Sequence, residues 1–159
     1  MTNSVNSNSN GRLSPDQVRE QVKNIFETLA PKNQFVTDAS VKAFSQLFSP
    51  DATSFQVPMG GLTGQQNPTP DTVYQWFKDN YDPDKIKFTE WIAGDIHVAG
   101  NTASFRKGFF ADLGKACVHA DALQIIEIDS DGKVVKLIVL FDAQDAEDQF
   151  AAAAKLNQQ

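Results

Sequence analysis

Apolar positions along this chain recur first with the period of a helix and later with the period of a strand. Val18, Val22, Ile25, Phe26 and Leu29 follow one another at i, i+4, i+7, i+8 and i+11, a single helical stripe. The stripe is preceded by Ser14-Pro15-Asp16-Gln17, in which Ser14 can cap, Pro15 suits the first helical position and Gln17 completes a capping box; Pro31 closes the helix. A second helix starts at Thr37 or Asp38 and carries Val41, Phe44, Leu47 and Phe48 on one face until Ser49-Pro50 stops it. Asp51 to Val57 reads as a short strand, and Pro58 to Pro70 as a Gly/Pro/Gln-rich loop of thirteen residues, long enough to act as a lid or rim over a site. Thr69-Pro70-Asp71 opens a third helix with Val73, Trp76, Phe77 and Tyr81, ended by Asp82-Pro83-Asp84.

From Asn101 to Asp142 the period changes to two. Three apolar runs of strand length are separated by Asp112-Leu113-Gly114 and by Asp129-Ser130-Asp131-Gly132, turn chemistry that predicts an antiparallel meander. Lys85 to Val98, rich in β-formers, leads into it through Ala99-Gly100-Asn101. Beyond Asp142, AQDAEDQFAAAAKL has high helix propensity, with Phe150 and Leu156 as its large anchors, and predicts a loosely attached terminal helix. Residues 1–13, mostly Asn and Ser, carry too little apolar area to order and are expected to be a disordered tail; 14–142 form one domain, and 143–159 a C-terminal helix and tail. The fold class is α+β, helices covering one face of a curved antiparallel sheet.

Alternation also says which side chains look inward. Ala103, Phe105, Phe109 and Ala111 share one strand face, and Lys107 lies in register with them. On the next strand Ala116, Val118, Ala120, Ala122, Gln124, Ile126 and Ile128 form the core side. Small residues at 120 and 122, beside an amide at 124 and opposite large rings, leave a gap in the concave face, which is what a small-molecule site looks like.

Composition limits the chemistry. Twenty acidic against 14 basic residues give a net charge of -6, and the densest basic cluster is Arg106-Lys107, so nucleic acid is not an expected partner. Cys117 is the single cysteine, which excludes an intrachain disulfide and an all-cysteine metal site. No apolar run reaches the length of a membrane span, and Met1 to Gly11 lacks the features of a signal peptide, so a soluble cytoplasmic protein without membrane partner is expected.

These segments resemble the nuclear transport factor 2-like superfamily, in particular its SnoaL-like polyketide cyclases and ketosteroid isomerases. The resemblance rests on Leu47-Phe48-Ser49-Pro50-Asp51-Ala52-Thr53 followed by Pro58, on Asn101 to Gln124, and on Gly132-Lys133-Val134-Val135 leading to Leu140-Phe141. It implies that residues 14–142 are a SnoaL-like domain, a cone-shaped, cystatin-like α+β barrel around an apolar internal pocket, commonly dimeric through its outer sheet face. The family's isomerases use an aspartate base after the first strand, a tyrosine of the first helix and a protonated aspartate. The corresponding positions here are Gln56, Phe26 and Gln124, none of which can perform those roles; SnoaL-like cyclases also use an acid at the position of Gln124.

The candidate ligand-binding residues are therefore Phe26, Gln56, Trp76, Phe77 and Phe105, with Lys107, Phe109, Ala120, Ala122, Gln124 and Phe141. Lys107 and Gln124 are the best catalytic candidates, Lys107 as an amine nucleophile or cation, against the alternative of a lysine whose stem covers apolar surface while its ammonium reaches water. Cys117, His119 and Asp121 share a strand face but are spaced by about 6.6 Å, a straight row on the side away from the pocket, where interface or surface polarity is the better account. Asp95 and His97 read as a solvent-side pair, Asp51 as a structural acceptor of backbone N–H groups, and Asp129 to Gly132 as a hairpin and not a calcium loop. No metal or other cofactor is expected. Three functions remain: binding of a small apolar molecule; an isomerase-, cyclase- or dehydratase-type enzyme using Lys107, Gln124 and a tyrosine from Tyr74 or Tyr81; or an interaction module acting through the sheet face around Cys117 to Ile125. Phe110, Leu123 and Ile125, facing away from the pocket, add the expectation of a homodimer.

Overall fold

The computed structural model of the chain describes residues 12–58 and 62–159. Most of the expected N-terminal tail and the middle of the expected 58–70 loop lie outside the described residues. Leu13 is buried against the core, and its N–H donates to Asn101 Oδ1.

The helices form where caps and stripes coincide. In α1 (Pro15–Leu29) the Ser14 hydroxyl accepts the Gln17 N–H at 3.2 Å while the Gln17 side chain accepts the Ser14 N–H at 2.8 Å, and Val18, Val22, Ile25, Phe26 and Leu29 are the buried positions. α2 (Asp38–Ser45) and α3 (Pro70–Asn80) repeat the reciprocal cap with Thr37 and Ser40 and with Thr69 and Thr72. α2 buries Val41 and Phe44, and α3 Val73 and Phe77, whose rings meet edge to face with centroids 5.9 Å apart. Tyr74 binds the two helices from outside, its hydroxyl donating to Asp38 Oδ1 at 2.7 Å.

The strands are β1 (Ser54–Pro58), β2 (Leu62–Gln66), β3 (Lys87–Ile92), β4 (His97–Ala99), β5 (Thr102–Asp112), β6 (Cys117–Ile128) and β7 (Val134–Phe141), followed by α4 (Ala143–Asn157). They form one curved, unclosed seven-stranded sheet in the order β2-β1-β7-β6-β5-β3, with β4 also paired to β5. Helices α1 to α3 pack into its concave side, in the expected α+β arrangement. The meander β5-β6-β7 follows the sequence pattern strand by strand. Its turns work as their residues suggest: Asp112 Oδ1 accepts the Gly114 N–H, Asp129 Oδ1 accepts those of Asp131 and Lys133, and Gly114 and Gly132 take φ of 91° and 78°.

Three features depart from expectation. The 58–70 stretch is not a structureless loop, because β2 pairs with β1 from Ser54↔Gln66 to Pro58↔Leu62. An edge strand of Gly and Gln is not recognisable by apolar alternation. The sheet is also not wholly antiparallel, since β1 runs parallel to β7 through Phe55↔Leu137. Finally, α4 is better seated than its sparse anchors predict. Leu156 is exposed, whereas Ala146 and Ala153 are buried, and the Gln149 amide spans the backbone of His119, accepting its N–H at 3.0 Å and donating to its carbonyl at 2.8 Å. β7 pairs with β6 no further than Ala122↔Phe141, so this side chain satisfies backbone groups that no strand reaches. Asp51 is exposed; at that junction the buried Ser49 hydroxyl accepts the Asp51 N–H.

Candidate functional site

Between helices and sheet lies a cavity of about 70 Å³, room for several water-sized groups where roughly 10–15 Å³ suffices for one. Its position follows from alternation. On β5, Lys107 and Phe109 point inward; on β6, Val118, Ala120, Ala122 and Gln124 do. The registers Phe109↔Ala120 and Lys107↔Ala122↔Phe141 set each alanine beside a long side chain, so the sheet itself does not fill the middle. Trp76 and Phe77 of α3 and Phe141 of β7 close the other sides.

Phe26, Gln56 and Phe105 do not line the cavity. Phe26 and Phe105 meet edge to face at 5.5 Å, both buried in the packed core. Gln56 is turned away because Phe55 and Val57, its neighbours on β1, take the inward face; its side chain lies over Gly64 of β2. Of the two tyrosines, Tyr81 lines the cavity and Tyr74 does not. Cys117, His119 and Asp121 are exposed on the outer face, where the His119 ring packs against Phe110, and Asp95 and His97 are exposed as well. That outer face also exposes Trp91, Leu123 and Leu140; the Trp91 indole lies over Gly108, where a Cβ would collide with it.

The polar content of the cavity is concentrated. Lys107 Nζ donates to Glu90 Oε1 at 2.7 Å, and both side chains are almost wholly removed from solvent, 8% and 9% exposed. The contact places Nζ in an ion pair within the cavity wall and not at the solvent surface. Gln124 is 4% exposed and its amide borders the void with no hydrogen-bond partner among the described residues. Burial, and secondarily the charge of Glu90, pushes the Tyr81 hydroxyl well above its ordinary range, which keeps it protonated. Among the described residues no group of three or more His, Cys, Asp or Glu is placed to hold a metal ion, and no helix is long and apolar enough to cross a membrane.

Sequence reasoning missed Glu90 and the α4 contribution. Alternation of Phe88, Glu90 and Ile92 could place Glu90 on the inward face, but its pairing comes from the register Glu90↔Phe109 and Ile92↔Lys107, which makes the carboxylate the diagonal neighbour of the lysine. From α4, Ala146 and Phe150 complete the wall, Phe150 packing against Tyr81 at 6.3 Å. Phe150 also borders an outer groove with Lys85, Lys87 and Asn157 and is common to both linings.

The curved sheet wrapped on helices around an inner cavity is the nuclear transport factor 2-like fold, the architecture of SnoaL-like proteins. No family model matches the chain, and no curated protein matches it in sequence. Solved structures do. An LEH-like epoxide hydrolase of M. tuberculosis is 14% identical, with 87% of this chain and 92% of that one covered and a TM-score of 0.61. The epoxide hydrolase/cyclase-like enzyme SalBIII, of pyran ring formation in polyether salinomycin, is 15% identical over 82% of this chain and 94% of that one, with a TM-score of 0.62. A protein from work on de novo design of diverse pocket structures is 16% identical over 79% and 99%, with a TM-score of 0.57. At such identities the likeness is one of fold.

Proposed function

We propose that this chain binds a small, largely apolar molecule in its internal cavity. The observation that carries the reading is Gln124: its side chain lines the cavity and makes no hydrogen bond within the described residues, which leaves its amide available to a ligand group. The aromatic walls supply the apolar contact. A neutral fluorescent probe, N-phenylnaphthylamine, is expected to gain fluorescence on mixing with the protein and to raise its Tm. At a hundredfold excess over Kd the stabilisation is about 2.7 kcal/mol. Ala120→Leu, which fills the gap from the β6 side, abolishes both effects while leaving the chain folded. A wild-type protein that neither brightens the probe nor gains Tm with it refutes the reading.

A second reading, an isomerase-, cyclase- or dehydratase-type enzyme, is favoured by Glu90, the buried carboxylate that the isomerase positions lacked. Glu90 would exchange the proton, Gln124 would donate to the developing oxyanion, and Lys107 would hold the carboxylate in place. Under it, Glu90→Gln retains probe binding and loses turnover on a ketone or epoxide substrate by about a hundredfold or more; undiminished turnover rejects it.

A further inference from the structure

We propose that the molecule taken by the cavity is uncharged and is held by a single head group that both donates and accepts hydrogen bonds, seated deep against Gln124 and the Lys107–Glu90 pair. This deepens the cavity-binding reading and rests on it. The polar lining groups are linked: Lys107 bonds Glu90, and the register Lys107↔Ala122 sets Gln124 two residues along the neighbouring strand. Along β6 the lining runs from Gln124 through Ala122 and Ala120 to Val118, and along β5 from Lys107 to Phe109. The Tyr81 ring meets Phe109, the register partner of Glu90, and its hydroxyl feels the Glu90 charge, so it belongs to the same polar group; Phe150 packs against the same ring at 6.3 Å. A ligand filling this space sets its polar group against these polar side chains and its apolar body against the aromatic walls.

The charge of the head group follows from the pair. One ammonium and one carboxylate, 2.7 Å apart and both buried, sum to zero. A carboxylate drawn to Lys107 would face Glu90, and an ammonium drawn to Glu90 would face Lys107, so an ionic ligand loses its hydration without gaining an unopposed counter-charge. A pure hydrocarbon is disfavoured for a separate reason, since it would leave the Gln124 amide buried and unpaired. That amide offers two donors and an acceptor, which an alcohol or a primary amide can meet.

The test is displacement of N-phenylnaphthylamine from the wild-type protein at neutral pH by five molecules of one chain length: octanol, octanamide, octanoate, octylammonium and octane. Octanol and octanamide are expected to displace the probe at concentrations at least about tenfold lower than the other three. Octanoate or octylammonium matching the alcohol overturns the neutral preference, and octane matching it overturns the role of Gln124, while the cavity reading survives both. A probe that never binds sinks the cavity reading itself and this inference with it. Two variants sharpen the result. Gln124→Leu is expected to bring octanol and octane within about twofold of each other, and Glu90→Gln, which leaves Lys107 unopposed, to improve octanoate about tenfold relative to octanol. Should either variant fail to fold, the wild-type series decides alone.

Discussion

Replacing Lys107 with Met lowers the free energy of unfolding by about 3–5 kcal/mol, the cost of stranding a buried charge whose partner has been removed. The lysine sits on β5 and Glu90 on β3, and each is the other's compensation inside a wall otherwise built of aromatic and aliphatic groups. Met keeps much of the stem's packing, so the loss reports the orphaned carboxylate rather than a void. A further change of Glu90 to Leu in the same chain removes that charge too, and the double variant recovers most of the stability, because a well-packed apolar pair can equal a buried ion pair. Urea unfolding of the wild type, the single variant and the double variant gives the comparison. A single variant within about 1 kcal/mol of wild type, the level of an exposed pair, would contradict the burial of this one.

Phe150→Ala is expected to act mainly on kinetics. The ring lines both the cavity and the groove of Lys85 and Lys87, so its removal is expected to join the two and to accelerate probe release by at least about tenfold in a stopped-flow displacement. Stability falls by about 2 kcal/mol, below the 3–5 kcal/mol of a fully enclosed phenylalanine, because this ring is only partly buried. α4 should stay in place, since Gln149 keeps both bonds to His119 and Ala146 and Ala153 remain buried. Unchanged release would show that the ligand does not pass this ring.

The fold was legible wherever a local signal coincided with burial on one face. The stripe Val18 to Leu29, the capping boxes and the Asp-containing turns each specify structure within a few residues, and the meander inherits its inward set from strict alternation. β2 escaped because its residues satisfy backbone pairing at an edge without burying a regular apolar face, and the parallel contact of β1 with β7 because nothing local encodes which distant strand lies alongside. In the site, Lys107, Ala120, Ala122 and Gln124 could be oriented from their own strands. Glu90 required the register of β3 against β5, and Phe150 required knowing where a helix after the last strand returns, both long-range facts. Gln56, assigned through a family position, lies over Gly64 on this β1 and does not line the cavity.

The parallel contact of β1 with β7 also sets the order in which the protein can assemble. The β5-β6-β7 ribbon closes through short turns between consecutive strands, whereas joining Ser54 to Lys136 means closing a loop of more than half the chain, which forfeits entropy before any contact returns it. On loop-closure entropy the ribbon is expected to form before the wall holding Phe55 and Val57, an order that φ-values in β6 and β1 would check. Under that order the chamber lacks one wall until β1 docks, and a ligand present during refolding is expected to be enclosed faster than one added to the folded protein.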